Sequence, residues 1–370
     1  MSNSQKKKVP VIVSDIDGVL KQGFNKCISD KILKALKAVR SLLGEIDAQR
    51  FGENDQEKIP FFLLTNRGAI TEKQHCIMMN KVMGFDQGED SKYAFQEHEN
   101  ILNHSALAPK FKIFQDKLVL ILGTGAIDEV AEYCGSQKYI TGIEYICCFP
   151  FLCPFNSFSE EYKAEMKEKV KKRLNLTDDD FHEPFQCHAI FILSMPFNWE
   201  ESTQLILDLL STEDGKMAQQ MPAIGPEKHI PVYVAYNDTT YKSEFQLPRI
   251  VNGCFTAAIK EIYKAIYKRE INLEFYGKPQ LKQFEFARDY TLSHIDKNHE
   301  VTNYYMIGDN PQSDIQGANK IGWTSILVRT GVFQGEGNDE QDPAKYVVYD
   351  FYDAIKLIFE LEGISTKILE

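Results

Sequence analysis

The sequence predicts an α/β protein built on a doubly wound parallel sheet, and three patterns carry that prediction. Short apolar runs of strand character alternate with segments whose apolar residues recur at helical spacing. Several of the apolar runs stop abruptly at polar residues, and open α/β sheets bind their ligands at such strand ends. The length of 370 residues exceeds the usual limit of a single core, which favours two domains or one domain with an insertion.

Composition excludes several classes of protein. Hydrophobic residues make up 43% of the chain, charged residues make up 26%, and the net charge is −11. The negative balance argues against a nucleic-acid scaffold and favours a small-molecule or metal partner. No apolar run approaches the length of a membrane span, and the cysteines lack the paired spacing of a zinc site. We therefore expect neither a nucleic-acid partner nor a membrane partner.

The first phase of the chain contains two strand and helix units. An apolar run ends at Asp15, and the helix that follows it begins after Ser29. A second apolar run, 59–64, stops at Thr65 and leads into a helix that opens with a capping box and ends near Gly84. This alternation is typical of one half of a parallel α/β sheet.

The middle of the chain forms a separate block. Residues 86–110 show no sustained period and are predicted to be a linker with short helices. Strands and helices then alternate between 118 and 235, and a charged helix over 159–174 lies among them with acids first and bases last. We interpret this block as a second α/β unit inserted in the first.

The last phase begins with a helix over 254–268 and returns to strands followed by helices. Strands are predicted to end at Gly277 and Gly308, and the final strands at 324–328 and 346–348 lead to a closing helix. Accordingly, we predict a core made of residues 1–84 and 252–370 and an inserted domain made of residues 85–251.

Four strand ends carry polar residues whose chemistry belongs together. They are Asp15-Ile16-Asp17-Gly18, Thr65-Asn66, Gly277-Lys278-Pro279 and the stretch from Gly308-Asp309 to Asp314. The carboxyl ends of parallel strands share one edge, so these residues converge. Several acids at short range are costly without a cation, and Mg²⁺ prefers oxygen ligands and substrate phosphate. The set predicts a Mg²⁺-dependent phosphoryl-transfer site in which a carboxylate attacks phosphorus.

The order of these four motifs resembles the haloacid dehalogenase superfamily. An insertion between the second and third motifs resembles the C2 cap of class IIA members. The stretches 236–238, 247–249 and 276–280 are similar to the cat eye syndrome critical region branch. The resemblance implies a Rossmann-like parallel-sheet core, a C2-type α/β cap over 85–251, and hydrolysis of a small phosphorylated metabolite.

The resemblance also implies roles for the residues that match. Asp15 would be the nucleophile that forms an aspartyl-phosphate, and Asp17 would be the general acid and then the base. Thr65 and Asn66 would hold the phosphoryl oxygens, while Lys278 would neutralise charge on the nucleophile and the phosphate. An acid at position 17 favours a phosphatase or a phosphomutase over a dehalogenase.

The resemblance also implies a metal site, and the sequence departs from the family pattern at one position. Asp309 would bind Mg²⁺ together with Asp15 and the backbone carbonyl of Asp17, and Asp314 would orient Lys278 or a metal-bound water. Arg67 stands where the family usually has a small residue. It could contact phosphate, crowd the pocket, or lie on a solvent-facing loop.

Several alternatives stay open from the sequence. The same residues would serve phosphotransfer to an acceptor other than water, as in a mutase, and a weakly catalytic metal-binding protein could use the cap as a contact surface. Asn237-Asp238 resembles a cap turn of the family, but an Asx turn explains it equally well.

The compartment is predicted from the N-terminal residues, and the assembly is predicted from the resemblance. The ten residues before the first strand leave little room for a transit peptide, which favours a cytoplasmic location, with a mitochondrial one as the alternative. The resemblance implies a possible homodimer.

Overall fold

A computed structural model describes residues 6–23, 26–241, 245 and 247–370. Residues 1–5, which enter the prediction about a transit peptide, lie outside the described residues. Across the described ranges, every helix is too short or too polar to span a membrane.

The strands are short and most are buried. They are β1 (Lys7–Ser14), β2 (Lys21–Gln22), β3 (Lys26–Cys27), β4 (Phe61–Leu64), β5 (Asn100–Ile101), β6 (Val119–Leu122), β7 (Tyr139–Thr141), β8 (Ile190–Ile192), β9 (Val232–Val234), β10 (Thr240–Tyr241), β11 (Arg249–Ile250), β12 (Leu273–Phe275), β13 (His299–Gly308), β14 (Thr324–Val328) and β15 (Tyr346–Val348).

The helices alternate with these strands. They are α1 (Asp30–Val39), α2 (Leu43–Ile46), α3 (Ala48–Phe51), α4 (Glu72–Met83), α5 (Ala108–Ile113), α6 (Ile127–Tyr133), α7 (Gly142–Cys148), α8 (Glu160–Leu174), α9 (Trp199–Leu209), α10 (Asn252–Tyr267), α11 (Leu281–His294), α12 (Gln316–Ile321) and α13 (Phe351–Glu362).

The core sheet is parallel throughout and has the strand order β15-β14-β13-β1-β4-β5. Side chains of β1 alternate between its two faces, as strand geometry requires. Ile12 packs with α1, α4 and α13 on one face, and Val11 and Val13 pack with α11 and α12 on the other. Helices therefore cover both faces, which confirms the predicted doubly wound α/β fold.

The second sheet is also parallel and has the order β12-β9-β8-β6-β7. Leu120 of β6 packs with α7, α9 and α10 on one face, and Ile121 packs with α5 and α6 on the other. This unit is inserted in the core, and we refer to it as the cap. The charged helix predicted over 159–174 is present as α8, with Ser159 as its N-cap.

The predicted domain boundaries at 84/85 and 251/252 are wrong. The short strand β5 pairs with β4, so the segment predicted to be a linker contributes a strand to the core sheet. On the other side, β12 pairs with β9 and α10 packs among cap residues, so the chain stays in the cap through Phe275. Apolar periodicity identifies an element but does not say which of two sheets it joins.

The strand order of the core sheet indicates where a ligand site lies. From β1 the sheet grows through β4 and β5 on one side and through β13, β14 and β15 on the other. The order therefore reverses between β1 and β13, and the loops at their carboxyl ends diverge. Such a switch point is where open α/β sheets leave a crevice for a ligand.

Candidate active site

The acidic residues predicted at two strand ends meet at this switch point. Asp15 follows β1, and its backbone N–H donates to the carbonyl of Ile307 in β13 at 2.8 Å. Asp309 follows the end of β13, and both side chains are buried. Carboxylate oxygens of Asp15, Asp309 and Asp314 lie within 4.8 Å of one another.

A single turn of π-helix, Pro311–Ile315, brings Asp314 back toward the strand end. The backbone N–H of Asn310 donates to Asp314 Oδ2 at 3.1 Å, which fixes the carboxylate. A Cβ on Gly308 would lie 2.2 Å from the Cβ of Asp314, so only glycine fits at the end of β13.

Lys278 is the buried cation among these acids. Its Nζ lies 2.7 Å from Asp15 Oδ1 and 2.6 Å from Asp314 Oδ1, and it donates to the carbonyl of Leu64 at 2.9 Å. Burial alone would lower the pKa of Lys278, but the two carboxylates outweigh that effect and raise the pKa above its ordinary value. The lysine therefore stays charged beside the predicted nucleophile.

The environment of these three acids disfavours their ionised forms. Burial raises the pKa of Asp15 to about 7, although the Lys278 ammonium opposes the shift. Burial, with the neighbouring Asp15 and Asp314 charges, raises the pKa of Asp309 well above its usual value. Burial raises the pKa of Asp314 as well. Three carboxylates facing one ammonium leave an excess of negative charge that a divalent cation would offset.

The donor set fits a hard divalent cation. All three groups offer oxygen, the ligand type that Mg²⁺ and Ca²⁺ prefer. Asp314 was predicted to orient Lys278 or a metal-bound water, and its 2.6 Å ion pair with that lysine is compatible with the first of these roles, which stays a prediction. The same carboxylate is also close enough to Asp15 and Asp309 to contribute a ligand atom.

Asp17 lies outside the buried cluster. Its side chain is 46% exposed and forms an ion pair with Lys21, whose own side chain is 1% exposed. Lys21 also donates to the carbonyl of Gly23 at 3.0 Å. The sequence reasoning missed Lys21, although a lysine directly after the apolar pair Val19-Leu20 is an available signal for a buried, paired cation.

Thr65 and Asn66 follow β4, and the two side chains differ in what they can still bind. The Thr65 hydroxyl oxygen accepts from the backbone N–H of Arg67 at 3.1 Å, which leaves the hydroxyl proton to donate to a substrate. The side-chain amide of Asn66 is engaged with Lys278 and with Asp238. A phosphoryl contact from Asn66 would therefore come from its backbone N–H, which has no protein partner among the described residues.

Arg67 is half-buried in the same loop. Within the described ranges its guanidinium has no hydrogen bond and no ion pair, so the contact to phosphate stays a prediction. The loop after β14 is a further part of the site that the sequence reasoning missed. The backbone N–H of Val332 donates to Asp309 Oδ2 at 2.6 Å, and a Cβ on Gly331 would lie 1.8 Å from that oxygen.

The fold and the site are those of a capped α/β protein with a buried acidic cluster at the switch point of its core sheet. A family model described as haloacid dehalogenase-like hydrolase matches residues 12–137, and a model described as HAD-hydrolase-like matches residues 275–354. The first range contains Asp15 and Thr65, and the second contains Lys278. The chain belongs to the haloacid dehalogenase-like hydrolases.

Two curated relatives are named as hydrolases. A cardiolipin synthase (CMP-forming)/mitochondrial hydrolase fusion protein of Schizosaccharomyces pombe is 31% identical over 81% of this chain and 47% of its own length. A mitochondrial hydrolase of Saccharomyces cerevisiae is 24% identical over 94% of each chain. The chain thus spans about half of the fusion protein and nearly all of the second relative.

Solved structures of phosphatases share the fold. A 4-nitrophenylphosphatase from Thermotoga maritima has a TM-score of 0.56 at 15% identity, covering 94% of this chain and 97% of its own. A glycerol phosphate phosphatase from Mycobacterium tuberculosis, in complex with calcium, has a TM-score of 0.53 at 14% identity, covering 94% and 74%. At these identities the similarity establishes the fold alone.

Proposed function

We propose that the protein is a Mg²⁺-dependent phosphatase that hydrolyses a small phosphorylated metabolite through an aspartyl-phosphate on Asp15. One observation carries the proposal. The Asp15 carboxylate lies 2.7 Å from the buried Lys278 ammonium at the switch point of the core sheet, with Asp309 and Asp314 beside them. A nucleophile, a fixed cation and further oxygen ligands in one buried cluster suit phosphoryl transfer better than any role at a surface turn.

The proposed reaction has two steps. An oxygen of Asp15 forms a bond to phosphorus while the bond from phosphorus to the ester oxygen breaks, and Asp17 gives the leaving oxygen a proton. Water then attacks phosphorus, Asp17 takes a proton from it, and the bond between phosphorus and Asp15 breaks. The exposed position of Asp17 suits contact with a leaving group and with water.

The other residues bind and orient the phosphoryl group. The Lys278 ammonium and the Thr65 hydroxyl would lie against its oxygens, with the backbone N–H of Asn66 as a further donor. A bound divalent cation would supply positive charge that offsets both the carboxylates and the phosphoryl oxygens. Asp15, Asp309 and Asp314 are the side chains that would hold it, and the backbone carbonyl of Asp17 stays a predicted ligand.

The cap supports the proposal of a small substrate. Its loops pack directly on the core loop that follows β4: the backbone N–H of Ala126 donates to the carbonyl of Ala69 at 3.0 Å. A cap in this position restricts large substrates and bulk water. The matched nitrophenyl and glycerol phosphate phosphatases are named for small phosphate esters, which supports the same substrate class.

The compartment and the family branch are separate proposals. Both curated relatives carry the word mitochondrial in their names, which favours the mitochondrial alternative over a cytoplasmic location. The C2 type of the cap, the similarity to the cat eye syndrome critical region branch and the homodimer stay predictions.

The test is a panel of phosphorylated metabolites and 4-nitrophenyl phosphate assayed with Mg²⁺ and with a chelator. We expect release of inorganic phosphate only with the metal, and a phosphate adduct on Asp15 in protein quenched with acid during turnover. Transfer of the phosphate to added alcohols in preference to water would identify a phosphotransferase. No turnover on any member would overturn the proposal in favour of a metal-binding interaction protein.

A further inference from the structure

Asn66 lies where the two connections between core and cap meet. The chain enters the cap after β5 and returns to the core after β12, directly before Lys278. The side chain of Asn103, on the first connection, donates to the carbonyl of Asn66 at 3.1 Å. The same amide group donates to the carbonyl of Leu193 in the cap at 3.3 Å. The backbone of Asn66 is therefore tied to one connection.

The side chain of Asn66 is tied to the other connection. Its Oδ1 accepts from the backbone N–H of Lys278 at 2.8 Å, and its Nδ2 donates to the backbone carbonyl of Lys278 at 2.9 Å. Gly277 has a φ of +70°, and a Cβ there would lie 2.8 Å from Asn66 Oδ1, so the two segments are in close contact. These two hydrogen bonds fix the backbone from which the catalytic ammonium reaches Asp15.

A cap residue completes the amide's hydrogen bonding. Asp238 follows β9, and its Oδ2 accepts from the second proton of Asn66 Nδ2 at 2.7 Å. No other side-chain hydrogen bond to this carboxylate occurs in the described part of the chain. The interaction joins a charged acceptor on the cap to an amide on the core, and such charge-assisted hydrogen bonds are stronger than neutral ones.

The position of Asp238 is itself fixed from within the cap. Its carbonyl accepts from the backbone N–H of Gly253 at 2.8 Å, and a Cβ on Gly253 would lie 2.6 Å from that oxygen. The neighbouring Asn237 accepts from the Thr256 hydroxyl at 2.7 Å. The turn is therefore held against the first residues of α10 and cannot shift without moving that helix.

We propose that Asp238 is a positioning residue: by holding the Asn66 amide it sets the backbone of Lys278, so that placement of the ammonium beside Asp15 depends on the cap. The inference rests on the proposed phosphatase function because it assigns Lys278 to catalysis. In this role Asp238 does not touch the phosphoryl group, and it acts through its hydrogen bond to Asn66.

Two other roles for Asp238 make different predictions. A residue that contacts the substrate would change KM, and it would do so mainly for substrates larger than 4-nitrophenyl phosphate. A residue that only stabilises the cap would lower the thermal midpoint without a matching fall in kcat at temperatures where the protein is folded. A positioning residue lowers kcat and leaves KM of a small ester nearly unchanged.

The experiment compares D238A, D238N, N66A and N66A/D238A with wild type, using 4-nitrophenyl phosphate in saturating Mg²⁺. D179A is the control, because Asp179 is an exposed acid of the cap. We expect D238A to lower kcat roughly 10–100-fold, the range typical of partners that orient a catalytic group. D238N should stay within about 3-fold of wild type, because an amide oxygen still accepts from Asn66. The double variant should be no slower than N66A.

Three results would overturn the inference: an unchanged kcat in D238A, a loss in D238N equal to that in D238A, or independent multiplication of the two single effects in the double variant. If wild type has no turnover, the proposed function fails and a second readout decides. Unfolding free energies of wild type, D238A, N66A and N66A/D238A then test the contact, because coupled residues give non-additive changes. Additive changes would overturn the role of Asp238, whatever the activity.

Discussion

The chain contains two parallel sheets whose strand ends carry different chemistry. At the carboxyl ends of the core strands, Asp15 and Asp309 are buried with like charges close by, and burial raises the pKa of both. In the cap sheet, Asp238 after β9 and Lys278 after β12 point to the core, whereas the polar groups after β6 and β8 are neutral and satisfy one another. The backbone N–H of Thr124, after β6, donates to the Ser194 hydroxyl, after β8, at 2.7 Å.

The difference indicates that the core sheet carries the reacting carboxylates and that the cap positions the groups around them. A site with unbalanced charge is costly unless a ligand offsets it, so the carboxylates at the core strand ends are the candidate reacting groups, and Lys278 reaches them from the end of β12. The cap's loops bind each other and the core backbone, so the cap holds the reacting groups in position and limits what reaches them. Asp238 is a charged cap residue whose side chain accepts a hydrogen bond from the core, from Asn66. The four predictions that follow test this division, beginning with the core.

The largest effect is expected for D15N. The amide cannot form the acyl phosphate, so kcat should fall roughly 10³-fold or more, as when an enzyme loses its covalent nucleophile. Folding should persist because Lys278 keeps its 2.6 Å ion pair with Asp314. Phosphate release is the measurement, and D116N, which alters an exposed acid, is the control. Wild-type activity in D15N would show that Asp15, at the end of the core strand β1, is not the nucleophile.

A smaller loss is expected when the cation is removed. K278M keeps the length of the side chain but not the charge, and kcat should fall about 10²–10³-fold. Because the Lys278 ammonium lowers the pKa of Asp15, its loss should also move the acid limb of the pH–rate profile to higher pH. K278R serves as the charge-preserving control. A profile that does not move in K278M would show that the lysine does not act on Asp15.

The third prediction concerns the metal. Mg²⁺ at 100 times its Kd should stabilise the folded protein by about 2.7 kcal/mol, and D309N should abolish most of that gain. The stabilisation should shrink as the pH falls below about 7, because protons then compete with the cation for Asp15. Thermal unfolding with and without Mg²⁺ at several pH values measures it. Equal stabilisation of D309N and wild type would place the metal elsewhere.

The smallest effect is expected on the cap side and concerns stability. Burial raises the pKa of Asp238 to about 6, although the Asn66 hydrogen bond opposes the shift. The carboxyl therefore keeps its proton to a higher pH in the folded state than in the unfolded state. As the pH rises from about 4 to about 6, the contribution of Asp238 to the unfolding free energy falls. D238N lacks this loss and should gain stability over wild type as the pH rises to 7. A difference that is independent of pH would contradict the raised pKa.

The sequence was sufficient to predict much of the fold because strand ends in a parallel sheet share one edge. Asp15, Thr65 and Asp309 were expected to converge for that reason, and they follow strands of the core sheet as expected, although their roles stay predictions. Lys278 was expected at the same edge, but it follows β12 of the cap sheet and reaches Asp15 because the cap packs on the core. The alternation of buried residues along β1 follows from strand geometry in the same way.

Other features depend on contacts that local pattern does not encode. The strand β5 has two residues, too few for any period, and its place in the core sheet comes from pairing with β4. The apolar face of α10 could pack on either unit, and only the tertiary structure assigns it to the cap. The ion pair of Lys21 with Asp17 and the hydrogen bond of Asp238 with Asn66 likewise join side chains whose meeting requires the folded chain.

The direct passage from β12 into Lys278 has a consequence for exchanging caps between related enzymes. Only Tyr276 and Gly277 separate the last cap strand from the lysine, so the splice point falls within a few residues of the reacting groups. One residue inserted there would displace the following backbone by about 3.3 Å, more than a hydrogen bond tolerates. A chimera that preserves this spacing should retain turnover, whereas one spliced a residue longer should bind metal and still be inactive.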